Sequence, residues 1–121
     1  MIGGGAGAVC RYSLSVLASK YLGTRFPWGT LFANLAGCFM IGVIFALIDR
    51  TRVLSPLMRL FFMTGFLGAL TTFSTYAMET VQAIRTGSNA TAVLNFALHN
   101  IVGVLLVLAG MWIMQYIIRK A

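Results

Sequence analysis

Twelve consecutive residues, 65–76, combine residue types that rarely share one membrane-crossing segment. They read Gly-Phe-Leu-Gly-Ala-Leu-Thr-Thr-Phe-Ser-Thr-Tyr, inside a stretch that is otherwise apolar enough to cross a membrane. Backbone groups without a partner are costly in hydrocarbon, so a broken helix persists there only against protein or a water-filled path. The run therefore predicts a helix break near Gly68 to Thr75 that lines a solute pathway.

The chemistry that such a break offers is ion binding. Carbonyl groups freed by a broken helix can hold a cation, and freed N–H groups can face an anion. The electropositive ring edges of Phe73 and Tyr76 can also contact a small anion. Two simpler interpretations remain open from the residues alone. The hydroxyl groups can bond to carbonyls four residues earlier, and the two rings can be packing side chains.

Four more polar side chains interrupt the apolar segments. Arg11 is either a cation at the mouth of a path or a side chain that reaches the membrane surface. Asn34 either bridges two helices or turns its amide N–H groups toward a passing anion. Glu79 is interpreted as a helix-end carboxylate paired with Arg85 or a neighbour, and His99 as a hydrogen-bond donor between helices.

The composition indicates an integral membrane protein. The chain is 60% hydrophobic and 9% charged, whereas soluble domains carry roughly 25% charged residues. Its net charge of +7 comes from basic residues at segment ends, which predicts contact with anionic headgroups and no nucleic acid. Bases, nucleophiles and metal ligands do not cluster at a workable spacing, so we do not expect an enzyme.

Four segments approach the roughly 20 apolar residues that a membrane span needs. They predict an all-α protein with one four-helix transmembrane domain over residues 1–121, with spans at about 2–22, 28–48, 58–84 and 90–118. The first is the weakest, because it is glycine-rich and contains Arg11. The fourth begins with three polar residues, Asn95, His99 and Asn100.

Small residues favour an oligomer, and a weak charge asymmetry permits one. Pairs of small residues four apart are typical of close helix contacts, and they occur at Gly3 and Gly7, Ala33 and Gly37, and Gly42 and Ala46. The basic residues on the side of the termini are Arg50, Arg52, Arg59, Arg119 and Lys120. Those on the opposite side are Lys20, Arg25 and Arg85. So weak a bias permits insertion in both orientations, and therefore an antiparallel dimer.

Three stretches carry a specific pattern. Residues 3–12 read Gly-Gly-Gly-Ala-Gly-Ala-Val-Cys-Arg-Tyr, and residues 26–34 read Phe-Pro-Trp-Gly-Thr-Leu-Phe-Ala-Asn. Residues 65–80 contain Gly-x-x-Gly-x-x-Thr-Thr-Phe-Ser-Thr-aromatic, with a glutamate three residues further on. On these residues the chain resembles the CrcB/Fluc family of fluoride channels along essentially its whole length.

The resemblance implies a dual-topology antiparallel dimer of four-span subunits in the cell membrane, which is the inner membrane where there are two. Fluoride would leave the cell passively through pores near the subunit interface, which lowers cytoplasmic fluoride and confers resistance. The partner would be a second copy of the chain, giving a homodimer, or an oppositely oriented paralogue.

The resemblance also assigns site residues. Those of the fluoride pore are Asn34, Phe73, Tyr76, Thr72, Ser74 and Thr75. Arg11 would stand near the aqueous vestibule, and the backbone carbonyls of Gly68 and Thr71 would hold a structural Na⁺ at the dimer interface. Tyr76 departs from the family pattern, because it replaces a second phenylalanine. Its hydroxyl would either donate to fluoride or narrow the pore.

The alternative function is a small four-span exporter of cationic compounds driven by protons. Such a transporter needs a carboxylate inside the membrane, typically in its first span. Here the first span carries Arg11 and no acid, so an exporter would depend on Glu79 near a helix end. The chain also begins almost directly at its glycine motif, which predicts either a misassigned start site or a short first helix.

Overall fold

All regular structure in the described part of the chain is helical, as the composition predicts. The structure is a computed structural model that describes residues 2–51 and 53–120. Arg52, one of the basic residues counted above, lies outside the described residues, as do Met1 and Ala121.

The described residues form five helical segments. In chain order, they are α1 (Ile2–Leu22), α2 (Trp28–Arg50), α3 (56–70), α4 (Phe73–Arg85) and α5 (Asn89–Lys120). Two of them contain wider, π-helical turns, α3 at Leu60–Leu67 and α5 at Leu98–Val102. Such turns inside α-helices are frequent at functional sites.

Three stretches are long and apolar enough to cross a membrane, as judged by length and composition. They are Trp28–Arg50, Pro56–Arg85 and Asn89–Lys120. The first helix is 21 residues long, but its glycines and Arg11 leave it outside this group. A helix of that length extends roughly 30 Å, which is about the thickness of the hydrocarbon core.

The helix break predicted between Gly68 and Thr75 is confirmed, and it consists of two threonines. Helix α3 ends at Leu70, and Thr71 and Thr72 are extended, with ψ values of 152° and 112°. Helix α4 then begins at Phe73, where the Thr72 hydroxyl accepts a hydrogen bond of 3.3 Å from the Thr75 N–H. Threonine suits this position because its side-chain oxygen satisfies an N–H group that the first helical turn leaves free.

The small-residue pairs serve contacts within the subunit. Each of their six members is buried by the chain itself. A Cβ atom at Gly42 would overlap the Val107 carbonyl oxygen, and one at Gly110 would overlap the Phe39 carbonyl oxygen, so the backbones of α2 and α5 touch there. Gly3 and Gly7 place α1 equally close to α3. Contacts within one subunit thus account for these pairs, and the oligomer stays a prediction that they do not support.

We expect Gly42→Ala to lower the stability of the protein markedly. The added methyl group would meet backbone atoms, which cannot rotate away, and overpacking of this kind costs typically about 1–3 kcal/mol. The matched control is Gly5→Ala, because a Cβ atom at Gly5 has nothing within 4 Å. Thermal unfolding of both variants in detergent tests this close contact, and equal melting temperatures for the two variants would contradict it.

Candidate functional site

The helix break lies beside a groove of about 420 Å³ on the side of the subunit. Six of the nine predicted site residues line this groove: Asn34, Gly68, Thr71, Thr72, Phe73 and Tyr76. Ser74, Thr75 and Arg11 do not. His99 and Asn100 of α5 complete the polar part of the wall.

Asn34 pairs with the peptide groups at the break through both ends of its amide. Its Oδ1 accepts the Thr72 N–H at 2.7 Å, and its Nδ2 donates to the Thr72 carbonyl at 3.0 Å. The side chain therefore bridges α2 and the break, as one of the two interpretations of this residue holds. An amide nitrogen carries two hydrogens, so the second N–H of Asn34, which has no partner among the described residues, can meet a further acceptor in the groove.

The bond from Thr72 to Asn34 changes the end of α3. In a continuous helix the Thr72 N–H would bond to the carbonyl of Gly68, four residues earlier. Asn34 takes this N–H, and the Gly68 carbonyl loses its usual partner. The Leu67 carbonyl is satisfied by the Thr71 N–H at 3.0 Å and by the Thr71 hydroxyl at 2.9 Å. The end of α3 leaves the carbonyls of residues 68–71 without their usual helical partners, and of these four residues only Gly68 and Thr71 line the groove.

The two aromatic residues at the start of α4 differ in exposure. Phe73 is 77% exposed, whereas Tyr76 is 7% exposed. Their ring centroids are 5.4 Å apart at an interplanar angle of 62°, an edge-to-face arrangement. The Tyr76 ring also stacks on His99 at 4.3 Å, and its hydroxyl accepts a hydrogen bond from Asn100 at 3.0 Å. Packing within the subunit thus accounts for the position of the Tyr76 ring, but it does not account for the position of the Phe73 ring.

The hydroxyl groups of the break fall into two sets. Those of Thr71 and Thr80 bond back to carbonyls four residues earlier, at 2.9 and 2.8 Å, which is the simpler of the two interpretations. Those of Thr72, Ser74 and Thr75 form a cluster in which Thr72 Oγ1 lies 2.9 Å from Thr75 Oγ1 and 3.3 Å from Ser74 Oγ. The cluster stands at the first turn of α4, and only Thr72 among its members reaches the groove.

A second, more polar cavity of about 400 Å³ lies between the end of α1, the start of α2 and the end of α4. Glu79 lines it and accepts a hydrogen bond of 2.6 Å from the Thr30 hydroxyl. Its neighbour is therefore Thr30, and the pairing with Arg85 suggested from sequence does not form within the described residues. The other carboxylate oxygen of Glu79 is buried, with no partner in the described part of the chain.

The basic residue in the wall of this polar cavity is Arg25. Arg11, which the resemblance places near a vestibule, is half-buried on α1 one turn beyond Gly7 and lines neither of the two cavities described above. Arg25 was counted in the sequence only as a charge at a segment end. The signal that points to it is its position directly before Phe26-Pro27, where the chain turns between α1 and α2.

Sequence reasoning noticed His99 and Asn100 as polar residues but gave them no place in the site. Both lie where α5 widens into its π-helical turn, Leu98–Val102. The His99 Nδ1 lies 3.0 Å from the Asn95 carbonyl oxygen, and because a carbonyl only accepts, the ring nitrogen donates. The contacts of these residues with Tyr76 join residues more than 20 positions apart, which no local pattern reveals.

Comparison with known proteins gives a consistent result along the chain. The family described as CrcB-like protein, Camphor Resistance (CrcB) matches residues 1–111. A protein of Acidobacterium capsulatum named fluoride-specific ion channel FluC is 46% identical over 110 residues, which cover 91% of this chain and 88% of that protein. Proteins of the same name from Salinibacter ruber and Aeromonas salmonicida are 45% and 43% identical, over 90% of this chain and 81% and 87% of their own lengths.

Proposed function

Because the chain belongs to the CrcB family, we propose that it is a fluoride-selective channel through which F⁻ leaves the cell passively. It is a multi-pass membrane protein, and channels of this kind are not enzymes. Passive efflux lowers cytoplasmic fluoride and makes the cell resistant to it.

The observation that carries this proposal is the pairing of Asn34 with the peptide groups at the break. It holds two helix ends of opposite polarity side by side, since the free carbonyls end α3 and the free N–H groups begin α4. The N-terminal end of a helix carries a partial positive charge and favours anions, and the C-terminal end favours cations. One break thus supplies an anion site and a cation site.

Fluoride is small and strongly hydrated, so a pore must replace its water with close donors. The second amide N–H of Asn34, the ring edges of Phe73 and Tyr76, and the Thr72 hydroxyl supply such donors along the groove. Ser74 and Thr75 would join the path only beyond the groove, at the first turn of α4. Several weak sites in a row let an ion enter and also leave. Chloride is larger and meets the ring pair as a steric barrier.

We propose that the free carbonyls of Gly68 and Thr71 hold a structural Na⁺. Their fit rests on the chemistry of the donors, because hard cations prefer oxygen ligands and the α3 end is partly negative. When bound, the ion supplies a local positive field that offsets the cost of bringing an anion close. Two oxygens are too few ligands for a hard cation, so the proposed site would be completed by a second subunit.

The second subunit is proposed to be an oppositely oriented copy of the chain or a paralogue, with four helices crossing the membrane in each. In this arrangement α1 is the fourth span. The exposure of Phe73 is consistent with it, because this ring stands beside the groove and is 77% exposed within one subunit.

No observation favours the exporter of cationic compounds. Its coupling group would be Glu79, which is held by Thr30 in the polar cavity, away from the groove.

Growth of a bacterium that lacks its own fluoride channel tests the proposed function. Expression of this chain is expected to restore growth in medium with added sodium fluoride, and to change nothing in medium with added sodium chloride. Growth as poor as that of cells with an empty vector, despite the protein being present in the membrane, would contradict the proposal.

A further inference from the structure

Tyr76 is held from three sides at the wall of the groove. His99 stacks on its ring at 4.3 Å, Phe73 meets it edge to face at 5.4 Å, and Asn100 Nδ2 lies 3.0 Å from its hydroxyl oxygen. A side chain fixed in this way keeps its hydroxyl oxygen in one place. The direction of the hydroxyl hydrogen then decides which group the hydroxyl can donate to.

A second contact of Asn100 determines the direction of this hydrogen. Asn100 Nδ2 lies 2.8 Å from the carbonyl oxygen of Phe96, and a backbone carbonyl can only accept a hydrogen bond. The amide nitrogen, and not the amide oxygen, must therefore face that side. Its second hydrogen then points at Tyr76, so the tyrosine oxygen accepts and keeps its own hydrogen for another partner.

No acceptor for this hydrogen is found among the described residues. The His99 Nε2, a possible acceptor nearby, makes no hydrogen bond with Tyr76 in the part of the chain that the structure describes. The groove itself is the remaining direction, and Asn34, Thr72 and Phe73 share its wall with Tyr76. A hydroxyl that already accepts one hydrogen bond is polarised into a stronger donor. Bonds from such donors to ions are about twice as strong as bonds between neutral groups.

We propose that Asn100 is a positioning residue that turns the Tyr76 hydroxyl into a hydrogen-bond donor for fluoride in the groove. This inference rests on the proposed function. Of the two roles that the sequence leaves open for Tyr76, it assigns donation to fluoride and rejects narrowing of the pore. Asn100 acts only through Tyr76 and does not itself donate to the anion, since both of its N–H groups are occupied.

Fluoride flux into liposomes, measured against fluoride concentration, tests this role with three variants. Tyr76→Phe keeps the ring and removes the donor, so the half-saturating fluoride concentration is expected to rise about tenfold, the value of one hydrogen bond to an ion. Asn100→Ala is expected to raise it by a similar factor. The double variant is expected to have the same half-saturating fluoride concentration as Tyr76→Phe alone, because both changes remove the same donor.

The matched controls are Tyr116→Phe and Asn89→Ala, which make the same chemical changes at exposed positions of α5 away from the groove. Both are expected to behave as the unchanged protein. An unchanged half-saturation in Tyr76→Phe, or an Asn100→Ala effect that multiplies with it, would overturn the proposal. If Asn100→Ala does not fold, Tyr76→Phe decides alone, since it removes a single oxygen atom.

A measurement independent of transport separates this inference from the proposed function. The chain has 4 tyrosines, and with ¹³C at the ring carbon that bears the hydroxyl, the signal missing in Tyr76→Phe identifies Tyr76. Fluoride added to the protein in detergent is expected to shift this signal, and equal chloride is not. A protein that conducts fluoride without this shift would overturn the role of Tyr76 alone. A protein that does not conduct at all would overturn the proposed function.

Discussion

Phe73→Ala is expected to reduce fluoride flux by up to about tenfold, because ring contacts of this kind are worth up to about 1.5 kcal/mol. The fold is expected to survive, since Phe73 is 77% exposed and buries little area within its subunit. The loss would therefore report on the pathway. Flux from liposomes, together with the elution volume of the variant in gel filtration, measures both effects.

The control for this variant is Phe45→Ala. Phe45 is also exposed, at 51%, but it lies on α2 and does not line the groove. Normal fluoride flux in Phe73→Ala would contradict the assignment of the ring to the pore. Equal losses in both variants would show that exposed rings act through assembly in the membrane instead.

Asn34→Asp is expected to reduce fluoride flux most strongly. Aspartate can still accept the Thr72 N–H, so the break keeps one of its two bonds. It cannot donate to the Thr72 carbonyl, and it places a negative charge beside the proposed path of an anion. Two like charges about 4 Å apart near a protein surface repel by about 4 kcal/mol, which corresponds to roughly a thousandfold in binding.

Asn34→Ser and Asn89→Asp separate the loss of the amide donor from the added negative charge. Serine at position 34 removes the amide without adding charge, so an intermediate loss is expected. Asn89 is exposed at the start of α5, and aspartate there adds the same charge at a distance, with little effect expected. Undiminished flux in Asn34→Asp would show that the anion does not pass Asn34.

The helices and the break could be read from the sequence because both are local properties. The apolar runs define the helices, and two adjacent threonines after glycines interrupt one of them. The small residues at Gly42 and Ala46 were also recognised as contact positions, but not their partner, because a small-residue pair does not specify which helix it meets. The structure shows that α2 packs against α5 of the same subunit there.

The chemistry of the site depends on contacts that sequence spacing cannot show. Asn34 meets Thr72 across 38 positions, and Asn100 meets Tyr76 across 24. Asn34 takes the Thr72 N–H that a continuous helix would give to the Gly68 carbonyl. The contact of Asn100 with Tyr76 is the basis of the donor role that we propose for the tyrosine. Neither followed from the residues alone, where Asn34 had two open interpretations and Asn100 had none beyond its polarity.

The most direct measurement is the release of fluoride from liposomes that contain only the purified protein, with chloride as the second anion in the same vesicles. Fluoride is expected to leave rapidly under its own gradient, without a proton gradient, while chloride stays inside. Fluoride that leaves no faster than chloride, or only when protons are supplied, would contradict a selective and passive pore at the break.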